Sequence, residues 1–265
     1  MKEEQMVLTV LGCRGSMAMA GEDYQVYGGA TSCYMIQADG ETLFLDAGSG
    51  LIGAPVQLPR PPVILLSHLH LDHLLGLGMY PRLSQKGMET NILVPVREGE
   101  QAKDLLNTVY SPPYWPLSLE SYAGNVSIQP LALPMRVGGM LVEGREGFHP
   151  GGCMMLKISF RGKTLVYMTD YEFGHIPDSE LLSFLQNADL LMVDGQYSPE
   201  IYPFRKGFGH STDEEGIRLM ELCGARQLLV VHHDPQSTDR ELARREKALN
   251  NGAVRYARDG MVIRI

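Results

Sequence analysis

Short β-like runs of apolar positions dominate the first part of the chain, and Gly and Asp bound them. Residues 7–11, 32–37, 42–46 and 63–66 are rich in β-branched and apolar side chains, which predicts strands. Gly28, Gly29, Gly48, Gly50 and Gly53 punctuate the loops between them. Beyond a polar cluster at 67–73, residues 74–85 read as a helix, 92–96 as a strand and 101–109 as a second helix. Ser111-Pro-Pro-Tyr-Trp-Pro116 resists regular structure, because its prolines remove donors and fix backbone angles. Tyr114 and Trp115 within it suit a pocket rim or an interface equally, so a dimer stays open.

The second part repeats the grammar. Strands are expected at 126–131, 140–142, 154–160 and 164–168, then a helix at 178–187 and a buried strand at 190–193. A helix over 211–223 would open with Ser211-x-x-Glu214 as a capping box. The apolar run 228–231 ends at His232-His233, a helix follows at 238–250, and Asp259-Gly260 suggests a hairpin. Mixed strands followed by helices in both halves predict an α/β protein in which two sheets pack face to face with helices outside. No linker interrupts the pattern, so residues 1–265 read as one domain.

Composition narrows the class. Hydrophobic residues at 44% and charged residues at 20% describe a globular chain rather than a disordered one. A net charge of −8 opposes nucleic acid overall, and Arg240, Arg244, Arg245 and Lys247 are interleaved with Glu241 and Glu246 as on a solvated helix face. Cys13, Cys33, Cys153 and Cys223 are too scattered to suggest a disulfide framework or a cysteine zinc site. The first apolar run, 6–11, is too short for a signal-peptide core, and no stretch approaches membrane-spanning length. A cytoplasmic protein is expected.

The chemistry concentrates in Ser67-His68-Leu69-His70-Leu71-Asp72-His73. Three imidazoles and a carboxylate fall in six consecutive positions directly after the apolar run 63–66. A strand ending in a tight loop would deliver all four to one point at a sheet edge. His149, Asp170 and His232 also stand at or near expected strand ends, which suits a rigid site open on one side. His175, near Gly174 and Pro177, reads as a loop residue.

With Leu45-Asp46-Ala47-Gly48 ahead of that cluster, and His149, Asp170 and His232 in order behind it, the chain resembles the metallo-β-lactamase superfamily. The resemblance implies a four-layer αββα sandwich and two divalent metal ions. It places His68, His70 and His149 on one ion, Asp72, His73 and His232 on the other, and Asp170 between them. Imidazoles and carboxylates suit zinc, with manganese or iron as alternatives, better than magnesium. Either His232 or His233 could be the last ligand; strand neighbours point opposite ways, and His232 directly follows the apolar run. Asp46 is expected to orient a metal-bound histidine, and Asp194, at another strand end, to play a similar supporting part. No cysteine lies within the motifs, a departure that points away from β-lactam hydrolysis.

Gly209-His210-Ser211-Thr212 resembles the His-Ser-Thr element of ribonuclease Z and related phosphodiesterases, as do Gly12-Cys13-Arg14-Gly15-Ser16 and the segment from Tyr27 to Cys33. That likeness implies a catalytic set of Asp72, Asp170 and His210, with His210 facing the phosphate at a helix start. Only twenty residues separate His149 from Asp170, where ribonuclease Z inserts its transfer-RNA arm, which argues against folded RNA. The scattered cysteines also do not support the extra zinc site of relatives encoded with carbon–phosphorus lyase. The expectation is a phosphodiesterase acting on a small diester, a cyclic nucleotide or cyclic phosphate. Alternatives are a lactonase or thioesterase-like carbonyl hydrolase, and a metal-binding sensor without turnover.

Overall fold

The computed structural model describes residues 5–173, 179–249 and 251–265. His175 and two expected helix ends, Asp178 and Asn250, lie outside them. The first sheet contains β1 (Val7–Gly12), β2 (Cys33–Ala38), β3 (Glu41–Leu45), β4 (Val63–Leu65), β5 (Glu89–Val94) and β6 (Asn125–Pro130). The second contains β7 (Met135–Val137), β8 (Met140–Gly147), β9 (Cys153–Phe160), β10 (Lys163–Met168), β11 (Leu190–Asp194), β12 (Leu228–Val231) and β13 (Val254–Tyr256). The last strand, β14 (Val262–Arg264), returns to the first sheet.

Strand order is β14-β1-β2-β3-β4-β5-β6 in one sheet and β13-β12-β11-β10-β9-β8-β7 in the other. In each, one side is antiparallel and the other parallel; the change falls at β3 and at β10. The parallel strands β11 and β12 are buried on both faces, so residues 190–193 and 228–231 are continuous apolar runs. Leu43, Leu45 and Leu65 of the first sheet meet Leu165, Tyr167, Met192 and Val231 of the second in a shared central core. Their strand neighbours Phe44, Ile64 and Leu66 face an outer layer, as do Val166, Leu191 and Val230 on the opposite side. Period-2 alternation thus builds three apolar clusters and four layers.

The outer layers are α1 (Ala102–Val109) over the first sheet, and α2 (Ser179–Leu185), α3 (Asp213–Cys223) and α4 (Asp239–Leu249) over the second. Among the described residues no helix is long and apolar enough to cross a membrane. The helix expected over 74–85 is instead a series of 3-10 turns, Leu71–His73, Leu77–Met79 and Pro81–Ser84. Pro81 breaks the ladder and holds Tyr80 extended. A Cβ at Gly76 would come within 2.1 Å of the Gly48 carbonyl oxygen, so this segment packs closely against the loop after β3.

Two other local expectations change. The capping box of α3 joins Thr212 to Glu215, because Ser211 is engaged elsewhere, donating to the Tyr171 carbonyl. Asp259-Gly260 makes no hairpin: β13 and β14 lie in different sheets, and Asp259 anchors the crossing by accepting from the Cys13 and Ala30 amides. In the proline-rich segment, Trp115 packs edge-on to Tyr110 and donates to Tyr122, whereas Tyr114 is exposed.

Candidate metal centre

Strand ends from both sheets converge at one edge of the sandwich. β4 leads into His68, and the following 3-10 turn carries Asp72 and His73. β8 leads to His149, β10 to Asp170 and β12 to His232. Asp46, Asp170 and His232 adopt left-handed backbone with φ of 61°, 49° and 59°. Such conformations are costly for non-glycine residues and persist where the surroundings over-determine them. Here each turns a side chain inward at the end of a strand.

Hydrogen bonding fixes which nitrogen of several rings faces the centre. Asp46, fully buried, accepts from the Ser67 amide (2.6 Å), Ser67 Oγ (2.8 Å), Tyr167 Oη (2.6 Å) and His73 Nδ1 (2.7 Å). The one Ser67 hydroxyl proton goes to Asp46, so Ser67 Oγ accepts from His68 Nδ1 at 3.1 Å. His149 Nδ1 donates to the Gly209 carbonyl at 2.8 Å. His68, His73 and His149 therefore aim Nε2 inward, and the buried Nε2 atoms of His68 and His73 have no hydrogen-bond partner among the described residues.

Those atoms divide around Asp170. His68, His70 and His149 with Asp170 form one set of potential ligand atoms within 4.8 Å of one another, and Asp72, His73 and His232 form a second. Asp170 Oδ1 lies 3.7 Å from His68 Nε2 and 3.8 Å from His149 Nε2, while Oδ2 lies 3.2 Å from His73 Nε2 and 3.4 Å from His232 Nε2. One carboxylate thus presents an oxygen to each set. His70 is exposed at the open edge, its Nδ1 only 3.1 Å from His149 Nε2. Two inward nitrogens that close, with orphaned acceptors beside them, fit a divalent cation, since ligand atoms about 2.0–2.2 Å from zinc lie that near one another.

The electrostatics agree with that fit. Burial pushes His68, His70 and His149 down, so these rings are neutral and able to ligate. Burial also opposes charge on His73 and His232, but the facing Asp72 and Asp170 overcome it and raise both. Asp72 and Asp170 are correspondingly held well below the usual carboxylate range by those histidines, against their own desolvation. The pocket demands positive charge.

His233 points away. Its Nε2 donates to the Ala257 carbonyl at 2.9 Å, its ring stacks on Tyr256, and burial lowers it to about 3. His232 is the member of the pair brought to the acids. Asp194 stands 2.7 Å from His210 Nδ1, and His210 stacks at 4.9 Å on His232. The supporting part expected of Asp194 is therefore directed chiefly at His210, although His232 Nδ1 is 3.4 Å away.

Several participants escaped the sequence reading. Ser16 donates its amide to Asp72 Oδ2 at 2.8 Å, and Gly15 leaves room for the His232 ring. Ser67 and Tyr167 serve Asp46, and Glu172 holds the loop before His210. Ser67 and Glu172 stand close to a ligand in the sequence, Gly15 and Ser16 belong to the Gly12-to-Ser16 element noted above without a role, and Tyr167 is a hydroxyl on an inward strand face that needs an acceptor.

A family model described as a β-lactamase superfamily domain matches residues 42–233. The probable metallo-hydrolase YhfI of Bacillus subtilis strain 168 is 26% identical over 97% of this chain and 99% of its own. Its crystal structure superposes with a TM-score of 0.72 at 23% identity, covering 99% of this chain and 100% of that one. Ribonuclease Z of Ignicoccus hospitalis is 25% identical over 79% of this chain and 84% of its own. A diphosphatase from the PhnP family shares the fold with a TM-score of 0.73 at 18% identity, covering 98% of each chain. With the four-layer fold and the histidine–aspartate cluster at its edge, this match establishes that the chain belongs to the metallo-β-lactamase superfamily of hydrolases.

Proposed function

We propose that this protein is a dinuclear metal-dependent phosphodiesterase acting on a small phosphodiester, such as a cyclic nucleotide or another cyclic phosphate. The observation that carries the reading is the Asp194–His210 pair, 2.7 Å apart, standing beside the acid shared by both ligand sets. His68, His70, His149 and Asp170 Oδ1 would hold one ion; Asp72, His73, His232 and Asp170 Oδ2 would hold the other. Two ions there, zinc in the first instance and manganese or iron otherwise, would supply Lewis acidity toward the phosphoryl group and a water acidic enough to attack near neutral pH.

The chain's own groups do the rest. Asp72 and Asp170 orient the attacking water's proton toward a carboxylate oxygen. Asp194 accepts from His210 Nδ1, fixing the ring so that Nε2 is the edge that binds the phosphate or hands a proton to the leaving oxygen. Asp46 keeps His73 in one tautomer through its 2.7 Å bond. The segment from His149 to Asp170 is filled by β9 and β10, which leaves no insertion there to grip folded RNA.

The test combines elemental analysis of purified protein with a substrate panel. Bis(p-nitrophenyl) phosphate and 2′,3′-cyclic nucleotides are expected to be turned over, and His210→Ala should cut that turnover by about a hundredfold or more with metal content unchanged. Turnover confined to an acyl-homoserine lactone or a glutathione thioester would make the enzyme a carbonyl hydrolase. Cleavage of a precursor transfer RNA in preference to small diesters would restore the RNA reading suggested by the ribonuclease Z relatives. A metal-replete protein inert on every member would leave a binding role.

A further inference from the structure

Glu172 lies two residues beyond Asp170 and is only 4% exposed. Its carboxylate accepts from the Gly207 amide at 2.8 and 2.9 Å, from the Gly209 amide at 2.9 Å and from Tyr202 Oη at 3.2 Å. Backbone amides curled around an anion usually make a binding site for a ligand. Here the chain supplies the anion itself. Gly207 and Gly209 have φ of 88° and 89°, a conformation that lets their amides turn toward one point.

The same residue reaches the other loops of the site. Its own amide donates to the Phe148 carbonyl at 3.1 Å, next to His149. The Gly209 peptide it grips passes the contact on: its carbonyl accepts from His149 Nδ1, and its chain neighbour is His210. A Cβ at Gly209 would stand 2.1 Å from His149 Nδ1, so the peptide is pressed against that ring. Ser211, on the far side of His210, accepts from the Phe173 amide at 3.1 Å and donates to the Tyr171 carbonyl. The chain before His210 is exposed from Arg205 to Phe208, so these bonds, together with those of Asp194 to His210 and Ser211, register the segment.

We infer that Glu172 is a positioning residue that locks the His149, Asp170 and His210 loops together and, through the Gly207 and Gly209 amides, sets where His210 meets substrate. This rests on His210 acting on the substrate as proposed above. Glu172→Gln keeps the size of the side chain but turns an amide donor toward backbone donors. Misplacing a catalytic group by about 1 Å can cost about a hundredfold in rate, so a loss of that order is the upper bound expected.

The metal-loaded enzyme is assayed with two diesters, one with an alkyl and one with a p-nitrophenyl leaving group. Glu172→Gln should lower kcat on the alkyl diester by about tenfold to a hundredfold with KM nearly unchanged, and lower it much less on the p-nitrophenyl diester, whose leaving oxygen needs no proton. In a His210→Ala background the same substitution should add less than about a twofold loss, because both changes remove one function. Independently of activity, amide hydrogen exchange at Gly207 and Gly209 should quicken by about tenfold or more while β10–β12 stay protected. Glu172→Asp, too short to reach both amides, should give the same pattern and stands in if the glutamine variant does not fold. Unchanged exchange at both glycines, or an equal loss of activity with and without His210, overturns the inference. If the wild type hydrolyses no diester, the phosphodiesterase reading fails, and the exchange measurement still decides whether Glu172 clamps the loop.

Discussion

Asp194 Oδ2 accepts from His210 Nδ1 at 2.7 Å, and Asp194 Oδ1 takes the amides of Gln196 (2.9 Å) and Ser211 (3.3 Å). One fully buried carboxylate at the end of β11 therefore orients the His210 ring and pins the backbone at Gln196 and at Ser211, next to His210. Asp194→Asn keeps the shape but replaces one of the two accepting oxygens with an NH2 group that faces a donor. Diester turnover should fall by about a hundredfold, with metal content equal to wild type by elemental analysis. Wild-type turnover would remove His210 from the reaction or Asp194 from its support.

Tyr167 donates to Asp46 at 2.6 Å from the middle of the central core. Tyr167→Phe removes one of four donors to a buried carboxylate, where bonds to charged groups contribute about 1.5–3 kcal/mol. A drop in thermal midpoint of about 2–4 °C for each kcal/mol is expected. His73 should also lose part of its orientation, read as weaker metal retention on dialysis against a chelator.

A Cβ on Gly15 would fall 2.4 Å from His232 Nδ1, and the ring has no exposed side into which to retreat. Gly15→Ala should push His232 off Asp72 and Asp170, lowering bound metal toward one ion per chain. The overpacking itself costs about 1–3 kcal/mol, which urea unfolding can separate from the metal loss. Retention of full metal content would show that the ring is not held where the structure places it.

Burial disfavours a proton on His232, but Asp170, Asp72 and Asp194 outweigh it and raise the ring to about 9. Its unfolded value is about 6.5. Because the folded value is the higher one, protonation adds stability to the metal-free chain that is complete below about 6.5 and lost as pH rises through about 9. Urea midpoints of chelator-treated protein should decline across that window. Metal binding near neutral pH should also release protons, measurable by calorimetry in buffers of different ionisation enthalpy. A flat midpoint together with proton-neutral binding would contradict the charge pairing.

The strands were legible because burial forces apolar runs, continuous at Leu228–Val231, which is buried throughout, and β-branched and apolar at Val7–Gly12, where only every second residue is fully buried. The metal loop was legible for a covalent reason: His68 to His73 are neighbours in the chain, so their convergence needs no long-range folding. The 74–85 helix misled because Gly76 and Gly78 serve close packing against Gly48 and Trp115, and Pro81 interrupts the helical ladder. The Asp259-Gly260 hairpin misled because a turn signal does not say which sheet receives the next strand.

The sequence by itself determined the layered α/β architecture and the run of histidines and acids at strand ends, since both follow from local periodicity and adjacency. Only the tertiary structure decided that Asp194 serves His210, that His233 turns away to Ala257, and that Glu172 binds the amides of Gly207 and Gly209. Each of these depends on which side chain from a distant strand or loop stands opposite. A period of two names the face a residue occupies, but the partner across it is set by how the two sheets pack.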